Sequence, residues 1–416
     1  MHTIYDNPLP SGWLEEPLGT LVETKRGCTW TKEQERDRPA EGTIPVIRIP
    51  NIKSSLDLKD LLHIYGLSAD QRTSSAVTKG WTLMVGSNGN PKRIGDSVLM
   101  EEDREMIFAS FLFALRPKLG ETKISDEFVA CWLHGHRIHE FVSETSQMTT
   151  GLANISWSAC RKLPVRFPKH NEEQTRIAET LKAADDHIRA LELQIRTAER
   201  VKKSLLQAFP PSPKHGMGIQ LSRVADISSG FTMGRDLAGH DTIEVGYLTV
   251  VNVLEGRVDF SNLSTAEVKL NEIERYGLRE GDILMTEGGD RDKVGRGSIW
   301  LGQVPRVVCQ NHIFRVRLSI DKVLPWFMHY LLQTYSAKRY FFGRAKQSNN
   351  LCTINSREMR QFELPTLTTK EQEPWVDRLR AADEVIAAIE SQLTAALRVK
   401  QSLLQNLLTG RIRLKG

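Results

Sequence analysis

Residues 171–209 read NEEQTRIAETLKAADDHIRALELQIRTAERVKKSLLQAF, and residues 369–408 read TKEQEPWVDRLRAADEVIAAIESQLTAALRVKQSLLQNLL. The motifs Ala-Ala-Asp and Ser-Leu-Leu-Gln occur in both stretches, and each recurs 198 positions after its first copy. Self-similarity at a fixed period is stronger evidence for a fold than any local motif. The chain is therefore predicted to be built twice.

Both stretches carry apolar residues at steps of three and four, the pattern of a helix that packs along one seam. The predicted seam contains Ile177, Leu181, Ala184, Ile188, Leu191, Ile195, Ala198, Val201 and Leu205 in the first stretch, and Leu379, Ala382, Ile386, Ile389, Leu393, Ala396, Val399 and Leu403 in the second. Capping boxes are predicted from Asn171 with Gln174 and from Thr369 with Gln372. At 1.5 Å per residue, a helix of about 33 residues is roughly 50 Å long.

Neither helix is expected to be stable alone, because its apolar stripe needs a partner. The second globular segment begins just after the first helix ends, and the ends of a compact domain usually lie close together. The second helix is therefore expected to run antiparallel to the first as a coiled-coil spacer. The alternative is that each helix packs only on its own domain.

The segments outside the helices repeat one order of elements with weak identity. Residues 281–285 take the place of residues 80–84, and an amphipathic helix predicted over 326–341 takes the place of one over 128–142. The predicted fold class is α+β, with two similar globular domains and a pseudo-twofold repeat. The predicted bounds are 1–168 for the first domain, 169–210 for the first long helix, 211–367 for the second domain, and 368–416 for the second helix and tail.

Composition fits a water-soluble globular protein, with 416 residues of which 40% are hydrophobic and 26% charged. There is no apolar run of about 18 residues, so no membrane span is expected. The five cysteines are scattered and odd in number, which favours a reducing, cytoplasmic location. A net charge of +5 permits a polyanionic partner without requiring one.

The two predicted globular domains, termed the first and second heads, would be held at a fixed separation by the helices. This arrangement fits a split DNA site, because recognition elements roughly 34 to 50 Å apart face one side of B-DNA. Loops with amide and basic side chains suit base edges and phosphates. The candidate DNA-binding residues are Asn88, Asn90, Lys92, Arg93, Gln147 and Thr149 in the first domain, and Arg291, Lys293, Arg296, Arg344, Lys346, Gln347, Asn349 and Asn350 in the second. For any single residue, a solvated surface loop is the alternative.

Three motifs carry a family resemblance: Leu9-Pro10-Ser11-Gly12-Trp13, Gln310-Asn311-His312-Ile313-Phe314, and the run KQSLLQNLLTGRIRL at 400–414. With them the chain resembles, over nearly its whole length, the DNA-specificity subunit of type I restriction–modification enzymes. The resemblance implies that each domain binds half of a bipartite site in double-stranded DNA, and that the helices set the gap and dock two methyltransferase subunits. A restriction (translocase) subunit would complete the enzyme. The partners would use S-adenosylmethionine, ATP and Mg, and this chain would bind no cofactor and catalyse nothing.

Catalytic motifs are hard to find in the sequence. It has no phosphate-binding Gly-Lys-Ser/Thr loop, no convincing cofactor-binding glycine fingerprint and no Asn-Pro-Pro-aromatic run. Cys131, His134, His136 and His139 suggest a rival, a metal hydrolase site. However, residues 134 and 136 would point to different faces of the predicted helix. A coiled-coil scaffold with no DNA role is the other rival.

Overall fold

The computed structural model describes residues 5–53, 55–118, 120, 123–145, 147–149, 151–289, 293–348 and 351–414. The chain forms two compact units, residues 1–192 with 391–416, and residues 193–390. Each unit therefore combines one globular domain with part of each long helix. Among the described residues, no helix is both long and apolar enough to cross a membrane.

The first unit contains three small sheets and one five-stranded sheet. Its strands are β1 Trp13–Pro17, β2 Val22–Arg26, β3 Glu35–Arg36, β4 Ile44–Ile47, β5 Leu62–Ile64, β6 Ala76–Val77, β7 Thr82–Val85, β8 Ser87–Asn88, β9 Ser97–Leu99, β10 Met106–Phe108, β11 Leu112–Pro117, β12 Gln147–Thr149, β13 Leu152–Asn154 and β14 Pro164–Pro168. Its helices are α1 Leu18–Leu21, α2 Ala69–Ser75, α3 Asp126–Leu133, α4 His136–Glu144, α5 Trp157–Cys160 and the start of α6 Asn171–Ala208. The strand orders are β1-β14, β2-β11-β7-β9, β12-β13-β8 and β3-β5-β4-β10-β6.

The second unit repeats three of these sheets. Its strands are β15 Ile219–Gln220, β16 Ala225–Ser229, β17 Thr242–Leu248, β18 Val253–Leu254, β19 Arg257–Val258, β20 Ser264–Lys269, β21 Ile283–Thr286, β22 Gly288–Gly289, β23 Gly297–Ile299, β24 Val307–Cys309, β25 Ile313–Leu318, β26 Lys346–Ser348, β27 Leu351–Thr353 and β28 Glu363–Leu364. Its helices are α7 Ile273–Tyr276, α8 Pro325–Gln333, α9 Tyr335–Arg344, α10 Ser356–Arg360 and the start of α11 Thr369–Leu407. The orders β15-β28, β16-β25-β21-β23 and β26-β27-β22 match β1-β14, β2-β11-β7-β9 and β12-β13-β8. The prediction of an α+β fold built twice with two long helices is confirmed.

The long helices run antiparallel within each unit. In the first unit, Ile177 and Leu181 near the start of α6 share a buried core with Leu407 at the end of α11. In the second unit, Phe209 just after α6 shares a core with Leu379 near the start of α11. Early residues of one helix therefore meet late residues of the other, as connectivity predicted.

The predicted capping boxes are wrong, because neither Gln174 nor Gln372 bonds back to the first residue of its helix as predicted. The side chain of Gln174 accepts a hydrogen bond from the Ser125 amide at 2.8 Å and donates to the Pro168 carbonyl at 2.8 Å, so it docks the helix on its domain. Gln372 does the same in the second unit, where it accepts from the Leu324 amide at 2.9 Å. The cap of α11 comes one residue earlier, because Glu371 Oε2 accepts from the backbone amide of residue 368 at 2.8 Å.

Each predicted amphipathic helix after the sheets is in fact two helices. Residues 128–142 fall in α3 and α4, which are separated after Leu133, and residues 326–341 fall in α8 and α9. The second break has a clear cause, since the Thr334 side chain caps a new helix by accepting from the Ala337 amide at 3.4 Å. The apolar pattern continues across both breaks, so periodicity alone could not reveal them.

Candidate nucleic-acid interface

A three-stranded sheet in the first unit gathers loops that are about 60 residues apart in the sequence. In this sheet, termed the first candidate sheet, β13 lies between β8 and β12. Asn88 is paired with Ala153, and Gln147 with Asn154, in antiparallel register. The sheet thus brings predicted residues from both loops together, while the side chains of Gln147 and Thr149 lie outside the described part.

Two predicted asparagines shape the turn after β8. Asn88 Oδ1 accepts from the Asn90 amide at 2.7 Å, and Asn90 Oδ1 accepts from the Lys92 amide at 3.1 Å. Such side-chain-to-backbone bonds fix a turn locally. Asn90 and Lys92 are exposed on the turn and Asn88 is half-buried, so Lys92 is the cation that this turn presents to solvent.

Arg93 lies in a bonded network beneath the turn. Its Nε donates to Asp96 Oδ2 at 2.9 Å, and its guanidinium also donates to the Ile52 carbonyl at 2.6 Å. His139 Nε2 lies 3.1 Å from Asp96 Oδ1. Burial acts to raise the pKa of Asp96, but the hydrogen bonds from His139 and Arg93 outweigh it and leave that pKa below its ordinary value. Arg93 therefore supports the turn from inside the domain through its bonds to Asp96 and to the Ile52 carbonyl.

The second unit builds the same arrangement with different side chains. In the second candidate sheet, β27 lies between β22 and β26, and Thr353 pairs with Gly288 on one side and Lys346 on the other. Lys346 is exposed. The backbone of Gln347 pairs with Cys352, while the side chain of Gln347 and the whole of Arg291, Asn349 and Asn350 lie outside the described residues.

The remaining predicted cations of the second unit occupy three different settings. Lys293 is half-buried, and its carbonyl accepts from Thr286 Oγ1 at 3.1 Å. The Arg296 guanidinium donates to the Val250 carbonyl at 3.4 Å. Arg344 is exposed and its guanidinium lies 3.8 Å from the centre of the Tyr340 ring. Lys346 and Arg344 are thus the more exposed of the described cations predicted for this head.

Phe111 and His312 border the candidate sheets and were missed by the sequence reasoning. The Phe111 carbonyl accepts from the Ser87 amide at 3.1 Å, and the His312 carbonyl accepts from the Glu287 amide at 2.9 Å, so both residues occupy the same place in their heads. Phe111 is 49% exposed, and His312 Nδ1 lies 2.8 Å from Glu287 Oε2. Aligning the two halves residue by residue would have found them, because both immediately precede the matched strands β11 and β25.

All the predicted seam residues but two are buried or half-buried. The exceptions are Val201 and Val399, which are 53% and 56% exposed. In their place Lys202 and Lys400, the next residues, form ion pairs with Asp383 and Asp185 of the opposite helix at 2.6 and 2.5 Å. The sequence also predicts that Arg189, Arg196 and Lys202 lie on outward faces of the helices, as partner surface or solvent-exposed face, and the ion pair with Asp383 shows that this prediction is wrong for Lys202.

The described histidines of the Cys/His cluster, His134 and His139, make structural contacts within the domain. His134 Nε2 lies 2.5 Å from the Ser97 carbonyl, and His139 contacts Asp96. Burial raises the pKa of the Cys131 thiol to about 12, so it is held as the neutral thiol. The side chain of His136 lies outside the described part. Within that part, no group of three His, Cys, Asp or Glu residues could hold a metal ion.

Comparisons with known proteins agree with this architecture. The type I restriction modification DNA specificity domain matches residues 10–199. The StySPI specificity subunit of Salmonella potsdam is 24% identical over 422 residues, which cover 96% of this chain and 88% of the relative. The EcoKI specificity subunit of Escherichia coli (strain K12) is also 24% identical, over 96% of this chain and 88% of its own length. The chain is thus similar over nearly its whole length to type I restriction enzyme specificity subunits.

Solved structures of type I systems share the fold. The S subunit from M. genitalium superposes with a TM-score of 0.58 at 14% identity, covering 97% of both chains. A chain from a structure of type I complex assembly and conformational transition gives 0.57 at 15% identity, covering 98% of this chain and all of its own. At 14% and 15% identity, this likeness shows a shared fold.

Proposed function

We propose that this chain is the DNA-reading subunit of a type I restriction–modification complex, and that each head reads one half of a bipartite target. The observation that carries the proposal is the candidate sheet built twice on one topology with unlike side chains. A shared scaffold with different loops is the expected form when two sites recognise different ligands.

In the first head, the turn at 88–92 presents amide and cationic groups. Asparagine can read adenine through two hydrogen bonds, and lysine contacts phosphate or guanine. In the second head, Lys346 and Arg344 supply the cations at the matching strand and helix end. The exposed Phe111 ring adds an apolar surface suited to a thymine methyl group.

The long helices act as the spacer between the half-sites in this proposal. In each unit the two long helices pack antiparallel, so each head is joined to a stretch of both helices. Because the chain length of a helix fixes its rise, the number of residues between the heads would set the number of base pairs in the gap.

The same helices supply a docking surface for two methyltransferase subunits. Four exposed residues on one helical face are identical in the two copies: Arg200, Val201, Ser204 and Gln207 in α6, and Arg398, Val399, Ser402 and Gln405 in α11. Packing between the two helices would explain identity at buried positions, but these eight residues are exposed. A repeated exposed face that includes an apolar residue fits two copies of one partner.

Catalysis then belongs to the partners. The methyltransferase subunits would use S-adenosylmethionine, the restriction subunit would use ATP and Mg, and this chain would bind none of these three. A metal hydrolase role has no support in the described Cys/His residues, whose contacts are structural.

Methylome sequencing of cells that carry the chain with its methyltransferase tests the reading role. The expected result is one split motif with methylated adenine in each half and a fixed gap. Recovery of no split motif, with the complex shown to be assembled, would refute bipartite reading. It would then favour a scaffold role.

The docking face is tested by subunit stoichiometry. Val201→Glu and Val399→Glu should each remove one methyltransferase subunit from the assembled complex, and the double variant should remove both, as measured by native mass spectrometry. Leu193→Glu is the matched control, because Leu193 is similarly exposed on α6 but is replaced by Ser391 in the other copy. Unchanged stoichiometry in the double variant would show that the partners dock elsewhere.

A further inference from the structure

Two ion pairs join the long helices at positions related by the internal repeat. Lys202 Nζ lies 2.6 Å from Asp383 Oδ1 in the second unit, and Lys400 Nζ lies 2.5 Å from Asp185 Oδ1 in the first. The four side chains are between 22% and 34% exposed, so each pair is largely sheltered from water.

Each lysine interrupts an apolar seam. The preceding valine, Val201 or Val399, is the residue that the three-and-four spacing would place inward, yet it is more than half exposed. A sheltered charge in an apolar seam contributes little net stability, because desolvation offsets the attraction. Its best-established use in paired helices is to specify one register over others.

The second pair is also tied to its head. Tyr330, on α8, donates from its hydroxyl to Asp383 Oδ2 at 2.8 Å, so one carboxylate joins α6, α8 and α11. The matched glutamine contacts pair Leu324 with Ser125, so the equivalent residue in the first unit is Cys131, where a thiol takes the place of the hydroxyl. Asp383 therefore fixes the helix pair and the second head in a single contact.

We propose that the pairs Lys202–Asp383 and Lys400–Asp185 fix the register of the helices and are the residues that determine the gap between half-sites. The inference rests on the proposed function, in which the helices set that gap. A slip of one helical turn is about 5.4 Å, which would break both pairs and leave four charges among apolar residues. The same displacement exceeds the roughly 3.4 Å rise of one base pair, so a slip would change the gap length that the complex prefers.

The test measures gap preference rather than stability alone. The complex of the full chain with its methyltransferase modifies a plasmid library in which both half-sites are fixed and the gap is varied. Lys400→Met combined with Asp185→Leu should keep the thermal midpoint within a few degrees, yet lower the preference for the native gap by about tenfold or more. A wild-type gap preference in this double variant would overturn the inference.

Charge reversal supplies the second arm. Lys400→Asp alone places two carboxylates together and should lose the gap preference, whereas Lys400→Asp with Asp185→Lys should regain it. Failure of the swapped pair to recover any preference lost by the single reversal would also overturn the inference. The control is a swap of Asp186 and Arg189, an ion pair on the exposed face of α6, which should leave the gap unchanged.

The wild-type protein separates this inference from the function on which it rests. If the wild type methylates all gap lengths equally, the spacer role itself is wrong. If the wild type is selective and the Met/Leu variant is equally selective, the spacer role stands and the register assignment fails.

Discussion

Acidification should weaken the second unit through one buried histidine. His329 is 2% exposed, and its Nδ1 accepts a hydrogen bond from the Ile299 amide at 3.2 Å. Protonation would place a hydrogen on Nδ1 directly against that amide hydrogen. Burial lowers the pKa of His329 to about 4, so the folded unit holds the neutral ring well below the ordinary value of 6.5.

The sign and size of the effect follow from this shift. Below pH 6.5 His329 is protonated in the unfolded chain but stays neutral in the folded chain. The contribution of the neutral ring to the free energy of unfolding is therefore complete above pH 6.5 and is lost as the pH falls toward 4. The full loss corresponds to about 3 kcal/mol, of which about 2 kcal/mol is lost by pH 5. His329→Gln removes the titration, and the glutamine amide oxygen can still accept from the Ile299 amide.

Urea unfolding of the full chain between pH 7.5 and pH 5 measures the difference between wild type and His329→Gln. The wild type should lose more stability on acidification than the variant by about 2 kcal/mol. His312→Gln, at an exposed histidine of the same unit, is the control and should retain the acid sensitivity. An NMR titration that finds His329 protonated with a pKa near 6.5 in the folded protein would refute the reasoning.

Other perturbations test the fold and the DNA contacts. Gly230→Ala should destabilise the second unit by about 2 kcal/mol or more, because the added Cβ would lie 2.1 Å from the Cys309 carbonyl oxygen. Gly343→Ala, which meets nothing within 4 Å inside a helix, should instead stabilise it by about 0.5 kcal/mol in the same thermal melt. Lys92→Ala and Lys346→Ala should each weaken DNA binding and lower the slope of log affinity against log salt by about one, measured by fluorescence anisotropy. An unchanged slope for either variant would remove that lysine from the phosphate contacts.

Local pattern and internal repetition were enough to predict the framework. The repeated Ala-Ala-Asp and Ser-Leu-Leu-Gln motifs located both long helices, and the position of the second domain after the first helix predicted their antiparallel packing. These signals work because helix periodicity and chain connectivity are properties of the sequence itself. The break between α8 and α9 depends instead on the Thr334 cap, a short local signal inside a continuous apolar pattern.

The candidate sheets could not be predicted in the same way. Asn88 pairs with Ala153, and Gly289 pairs with Cys352, across more than 60 residues. Such short strands carry no periodic signal, and their partners are chosen by the fold around them. The DNA-binding assignments therefore remain predictions from loop chemistry, although the fold brings β8 and β12, and likewise β22 and β26, into single sheets.

The lysines of the helices show why a duplicated chain is informative beyond its fold. Lys202 is predicted on an outward face, yet Lys202 and its repeat Lys400 both contact aspartates that also occur in both copies. Their repetition has an internal cause, since each pair needs both members. Val201 and Val399 are repeated too, but both are more than half exposed, so packing inside the protein does not explain why they are identical. Internal contacts thus explain the lysines and aspartates, whereas the proposed docking of two copies of one partner would explain the valines. The loops, which differ between the heads, are where two unlike half-sites would be distinguished.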